Sequence, residues 1–167
     1  MQGLGREFDI AGGLVPYDTN AGAGTGKRVS LKRAQACAFV LFKGAGVGTD
    51  NPVLTLQEHN AASGGTSQNL ARITTIYKKA AASLAGTEAW AVALTQAAAA
   101  TATLTGEATN QGIYAFEIDG TMLSDGFSWV SLSIADTGAA GAQLGTVLYL
   151  LHGLAVQRTP VNLAATL

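Results

Sequence analysis

Two apolar runs within residues 36–58 constrain the fold more than any other feature. Ala36, Cys37, Ala38, Phe39, Val40, Leu41 and Phe42 run unbroken to Lys43, whereas Val53, Leu54, Thr55, Leu56, Gln57 and Glu58 alternate. The first run is rich in aromatic and β-branched side chains, which suits a strand buried on one or both faces. The second sends Leu54 and Leu56 to one side and Thr55 and Gln57 to the other, the pattern of a half-buried strand. Between them Gly44, Gly46 and Gly48, with Asp50, Asn51 and Pro52, make a loop too long for a two-residue hairpin. The runs read as a central strand pair, the nucleus of a β-sandwich. No residue in them carries the marks of catalysis.

The same period of two recurs downstream. Strands are expected within 69–79 (Ile73, Ile76, Tyr77), 88–96 (Trp90, Val92, Leu94), 113–118, 127–134 and 145–151. Residues 97–105 are ambiguous, because alanine favours helix while alternating threonine favours strand; they read as strand after Ala100. Residues 119–126 have room for one helical turn over 121–123. About eight strands with Gly-rich turns and no long amphipathic helix predict an all-β chain, an antiparallel β-sandwich or jelly roll. Phe39, Leu41, Leu54, Leu56, Phe116, Ile118, Val130 and Leu132 are its expected core.

The ends read differently. Residues 1–26 are Gly-rich and broken by Pro16, and read as an extended N-terminal arm; 27–156 form the sandwich; 157–167, with Pro160, form a C-terminal tail. Sparse apolar anchors, Leu4, Phe8, Leu14 and Tyr17, then Val161, Leu163 and Leu167, suit segments that order on a partner. At least one end is expected to lie across a neighbouring subunit.

Composition narrows the function classes. Charged residues make up 13% of the 167, about half the usual ~25%, and the formal net charge is −1. No global field therefore draws the chain to nucleic acid or to an anionic membrane, and direct nucleic-acid binding is not expected. The longest apolar stretch is far below the ~18 residues of a membrane span, and the first ten residues carry no secretory signal, so synthesis in the cytoplasm is expected. Cys37, the one cysteine, excludes an internal disulfide.

The individual motifs favour structural readings. Gly22 to Lys27 mimics a phosphate loop, but Ala21 stands where the first glycine belongs and Arg28 where Ser or Thr should hold Mg²⁺. It reads as a hinge. The basic run with Lys27, Arg28, Lys32 and Arg33 reads as a charged sheet edge or a contact for an acidic partner, and Arg158 adds a cation in the tail. His59 and His152 lack the spacing of a metal site. Asp119, Ser124 and Asp125 match no calcium loop and suit turn capping. Trp90, Trp129 and Tyr114 offer a sugar-binding reading, yet alternation places them in half-buried strands as core. No nucleophile, base and acid assemble, so neither an enzyme nor a cofactor is expected.

The strings Val40-Leu-Phe-Lys-Gly-Ala-Gly, Asn51-Pro-Val-Leu-Thr-Leu-Gln-Glu-His-Asn and Gln143-Leu-Gly-Thr-Val-Leu-Tyr-Leu-Leu-His-Gly-Leu resemble small virion proteins of tailed double-stranded-DNA bacteriophages. The tail segment Arg158-Thr-Pro-Val-Asn-Leu shares the likeness, which covers about residues 36–163. The resemblance implies a β-sandwich of the head structural set, a capsid decoration (cement) or minor capsid protein. It implies binding to the major capsid protein on the capsid surface, self-association with a trimer as the expected state, and no catalytic residues. A tail-tube or tail-associated protein, or a carbohydrate-binding module, is the alternative. The anchors and cations named above, Leu4 to Leu163, are the candidate partner contacts.

Overall fold

The computed structural model describes residues 3–138 and 141–166. These fold into two antiparallel sheets. The strands are β1 (Phe8–Asp18), β2 (Val29–Ser30), β3 (Ala36–Lys43), β4 (Val53–His59), β5 (Ser67–Asn69), β6 (Ile73–Ala81), β7 (Ala91–Ala99), β8 (Thr101–Thr103), β9 (Gln111–Asp119), β10 (Trp129–Ile134) and β11 (Leu144–His152). The larger sheet has six strands in the order β1-β11-β3-β9-β6-β7. The smaller runs β2-β10-β4-β5, with β8 also paired to β4. This is the all-β antiparallel sandwich that the alternation predicts. One of three 3₁₀ turns among the described residues, over Gly120–Met122, stands one residue before the expected helical turn.

The eight expected core residues all lie buried between the sheets. Phe39 is their centre, its ring stacked 5.0 Å from that of Phe116 and edge-on to Tyr149 at 5.1 Å. Leu56 lies opposite Leu132 across the smaller sheet and supplies the facing wall.

The two founding strands are not a pair, however. β3 lies between β11 and β9, and β4 lies between β10 and the short β5 and β8. The loop 44–52 thus crosses from one layer to the other. The division follows the side chains: β3 is apolar on both faces and joins the equally apolar β11, whereas β4 and β10 carry polar side chains on their outer face.

The N-terminal segment is a second correction. Phe8–Asp18 is an eleven-residue edge strand on the chain's own sheet, running from Phe8 opposite His152 to Asp18 opposite Leu144. Irregular register between Gly12 and Leu14, and again between Leu14 and Tyr17, accommodates Pro16 without breaking the pairing. Gly13 has its own reason. A Cβ there would stand 2.5 Å from the Tyr149 ring, so only glycine lets that ring pass. The Tyr149 hydroxyl crosses the core, accepts from the Leu132 amide (2.9 Å) and donates to the Lys27 carbonyl (3.0 Å). The C-terminal tail also lies on its own domain. The Arg158 amide donates to the Gly5 carbonyl (2.8 Å), and the Ser30 amide donates to the Thr166 carbonyl (3.1 Å). Within the single chain both ends are parts of the sandwich. Leu167 and residues 1–2 fall outside the described residues.

Candidate partner-binding surfaces

The buried polar side chains hold loops together at the two ends of the sandwich. At one end Lys43, 3% exposed, donates through Nζ to the carbonyls of Glu107 (2.8 Å), Ala108 (3.2 Å) and Asn110. Burial lowers its ammonium to about 8, with the Glu107 charge opposing. Burial also raises the Glu107 carboxyl, but bonds from Lys78, Asn110 and the Tyr114 hydroxyl leave it below its ordinary value. The Gln143 amide donates to the carbonyls of Asp50 (3.0 Å) and Ala108 (3.1 Å), joining a third loop to the cluster.

At the other end the His59 ring bonds Ser67 Oγ through Nδ1 and Ser131 Oγ through Nε2, each at 2.8 Å. Burial lowers its pKa to about 4, and the positive charge of Arg28 adds to that while Glu58 opposes it. A histidine between two serines has the parts of a nucleophile and base. Here both His59 and Ser131 are sealed, at 3% and 2% exposure, so the set acts as a clasp on the 60–66 loop. Glu58 accepts from the Ser124 amide and hydroxyl and from Gln68, and Asp119 caps the turn at Thr121. His152 stands 3.1 Å from Glu117 on the surface. Among the described residues no three His, Cys, Asp or Glu side chains gather as a metal-holding group.

The fold sorts the expected contact residues into two sets. Lys32, Arg33, Arg158 and Leu163 meet around a hollow of about 560 Å³ under the C-terminal tail. Its apolar wall comes from Trp129, Leu151, Leu154 and Val156, and Asp9 is the one acidic side chain lining it. Val161 is 91% exposed beside it, and Leu4 bridges to Phe8 near the tail's contact at Gly5. The other set is consumed within the chain. Leu14 is buried, Tyr17 packs on the core, and Arg28 donates to the carbonyls of Ala61 (2.9 Å) and Gly64 (2.7 Å) and to Ser67 Oγ (3.0 Å). Lys27 is exposed away from this cluster, because only Val29–Ser30 of the basic run is strand.

A second surface has no counterpart among the expected contacts. The outer face of the six-stranded sheet is apolar along its middle. Register aligns Gly12, Leu148, Val40, Ala115, Tyr77 and Val92 in one row across all six strands. Phe42 stands just above that row, half exposed. The signal was the unbroken apolar run of β3, matched by Val147-Leu-Tyr-Leu-Leu in β11. Trp90 also belongs outside rather than in the core: it is 54% exposed, with Lys79 Nζ 5.2 Å from its ring centre. A register irregularity between β6 and β7 turns Val92 outward while Leu94 packs on the core. Tyr114 is buried and Trp129 lines the hollow, so the three aromatics form no shared sugar-binding groove.

Fold and surfaces define an antiparallel β-sandwich with a cation-edged hollow under its tail and an apolar row across its larger sheet. Comparison with family models, curated proteins and solved structures gave no match to this chain.

Proposed function

We propose that the chain is a structural virion protein of a tailed bacteriophage, a capsid decoration or minor capsid protein that binds and stabilises the major capsid lattice. The named phage role rests on the sequence resemblance. The observation that carries the contact chemistry is the hollow at Lys32, Arg33 and Arg158. Three cations over an apolar wall suit a capsid segment that presents acidic and apolar side chains together, since charge sets orientation and buried apolar area supplies affinity. Such a protein works by contact area and needs no reacting group.

Purified virions should contain the chain in many copies, released before the shell comes apart under mild denaturation. Particles stripped of it should take up the purified protein again. Arg33→Glu combined with Arg158→Glu should lower that uptake by tenfold or more, on the order expected for reversing two interfacial charges. Absence from particles, or presence only in tails, would end this reading.

A further inference from the structure

We infer that the outer face of the six-stranded sheet is a self-association surface, on which a second copy of this chain packs face to face and end for end. The first ground is its apolar content. Tyr77 and Val92 are more than half exposed and Leu148 is 39% exposed, all in one row with Val40 and Ala115. Water-facing strands carry polar side chains in these positions, and contiguous apolar patches of this extent mark contact surfaces.

The second ground is size. Six strands ~4.8 Å apart and about nine residues long at ~3.3 Å each give a footprint of roughly 700 Å², close to the ~800 Å² per partner of a standard stable interface. Two such faces pack about 10 Å apart with strands nearly aligned, as sheets do within a sandwich.

Charge supplies the third ground and selects a second copy over another partner. Lys79 pairs with Ile113, two residues to one side of Ala115 in the central row. Glu117 lies two residues to the other side of Ala115 on the neighbouring strand, with Asp119 beyond it. Lys79, with Glu88 close enough to feel its charge, thus stands at one end of the face and Glu117, with His152 beside it, at the other. A twofold axis lying along the central row turns a copy end for end and sets each Lys79 beside the other's Glu117. The same operation sets Ile10 and Leu150 toward the hollow of about 310 Å³ lined by Phe42, Leu84, Leu144 and Thr146. A self-complementary face closes at two copies rather than the three expected from sequence. This surface is separate from the Arg33–Arg158 hollow, so a paired subunit keeps both capsid-contact sites free.

Sedimentation of the full chain alone tests the inference without any virion, so its failure is distinct from failure of the capsid reading. From about 1 to 100 µM the chain should sediment as a dimer. Lys79→Glu alone and Glu117→Lys alone should each weaken pairing by at least about tenfold, because each homodimer then sets like charges together twice. Mixing the two variants restores both opposite-charge contacts and should restore the dimer. Tyr77→Arg with Leu148→Arg should leave a folded monomer, checked by an unchanged far-UV circular dichroism spectrum and a cooperative unfolding transition that no longer shifts with protein concentration. A parent chain that stays monomeric over this range, or a dimer indifferent to the charge reversals and their mixture, overturns the proposal.

Discussion

The outer faces of the two sheets differ as much as the faces of one domain can. On the smaller sheet Thr55, Gln57 and Ser133 are partly exposed on the outer face, Ser131 lies there sealed against His59, and Gln57 Nε2 donates to Asn69 Oδ1 of β5 at 3.3 Å. On the larger sheet the same positions hold Val40, Phe42, Ala115, Tyr77 and Leu148. Both inner faces are equally apolar and share one core. The inner faces therefore account for the fold alone, and the difference outside lies in chemistry: polar side chains on one sheet, a mainly apolar row on the other.

The strongest test of that comparison sets two phenylalanines of one strand against each other. Phe39→Ala empties the centre of the core and should cost ~3–5 kcal/mol in urea unfolding, whereas Phe42→Ala on the outer face should cost the monomer under ~1 kcal/mol. Leu56→Ala, on the facing wall, should cost ~2–5 kcal/mol. Equal losses at Phe39 and Phe42 would mean that the outer face is already covered within the chain.

Next in size is a pH effect confined to the smaller sheet. The fold holds His59 at about 4, against ~6.5 in an unfolded chain. Between those values the unfolded chain binds a proton that the folded chain refuses, so stability falls as pH drops from 6.5 to 4, by at most ~3 kcal/mol. His59→Gln should flatten that window. The loss at more acid pH should remain, because the carboxyls of Glu58 and Glu107 sit below their ordinary values and their stabilisation disappears only as they take up protons. Unfolding midpoints measured from pH 7 to pH 3 for both proteins separate the two phases.

The smallest expected effect sharpens the contrast from the polar side. Thr55→Arg should change stability by less than ~0.5 kcal/mol and leave pairing intact, since Thr55 itself is partly exposed. Loss of pairing would move the interface to the wrong sheet.

Much of this was legible from side-chain period. The inward residues of β4, β9 and β10 fall at every second position and could be named individually. β1 escaped the same reading for a physical reason. Gly12, Gly13 and Pro16 are poor strand formers in isolation, and Gly13 is there for the Tyr149 ring, a contact between residues far apart in the chain. The hollow was half legible. Its cations were visible as cations, but only the tail's hydrogen bonds to Gly5 and Ser30 bring Arg158 to Lys32 and Arg33. The outer face was written openly in the unbroken run of β3, which is apolar on both of its faces.

The place of β11 has a further consequence, in time rather than in space. It lies between β1 and β3, yet it is the last in chain order of the described strands. On a ribosome adding ~5–20 residues per second, the roughly one hundred residues from Lys43 to Gly145 take ~5–20 s to appear. Throughout that interval β1 has no strand to join, and β3 shows an open edge that carries Phe39 and Leu41. Closure then requires pairings between distant parts of the chain, which form slowly. The nascent chain thus passes through a stage with an unpaired apolar edge, the kind of template that recruits other chains. Chaperone protection during synthesis matters most for the segment ending at Lys43, and release comes only when His152 has left the exit tunnel.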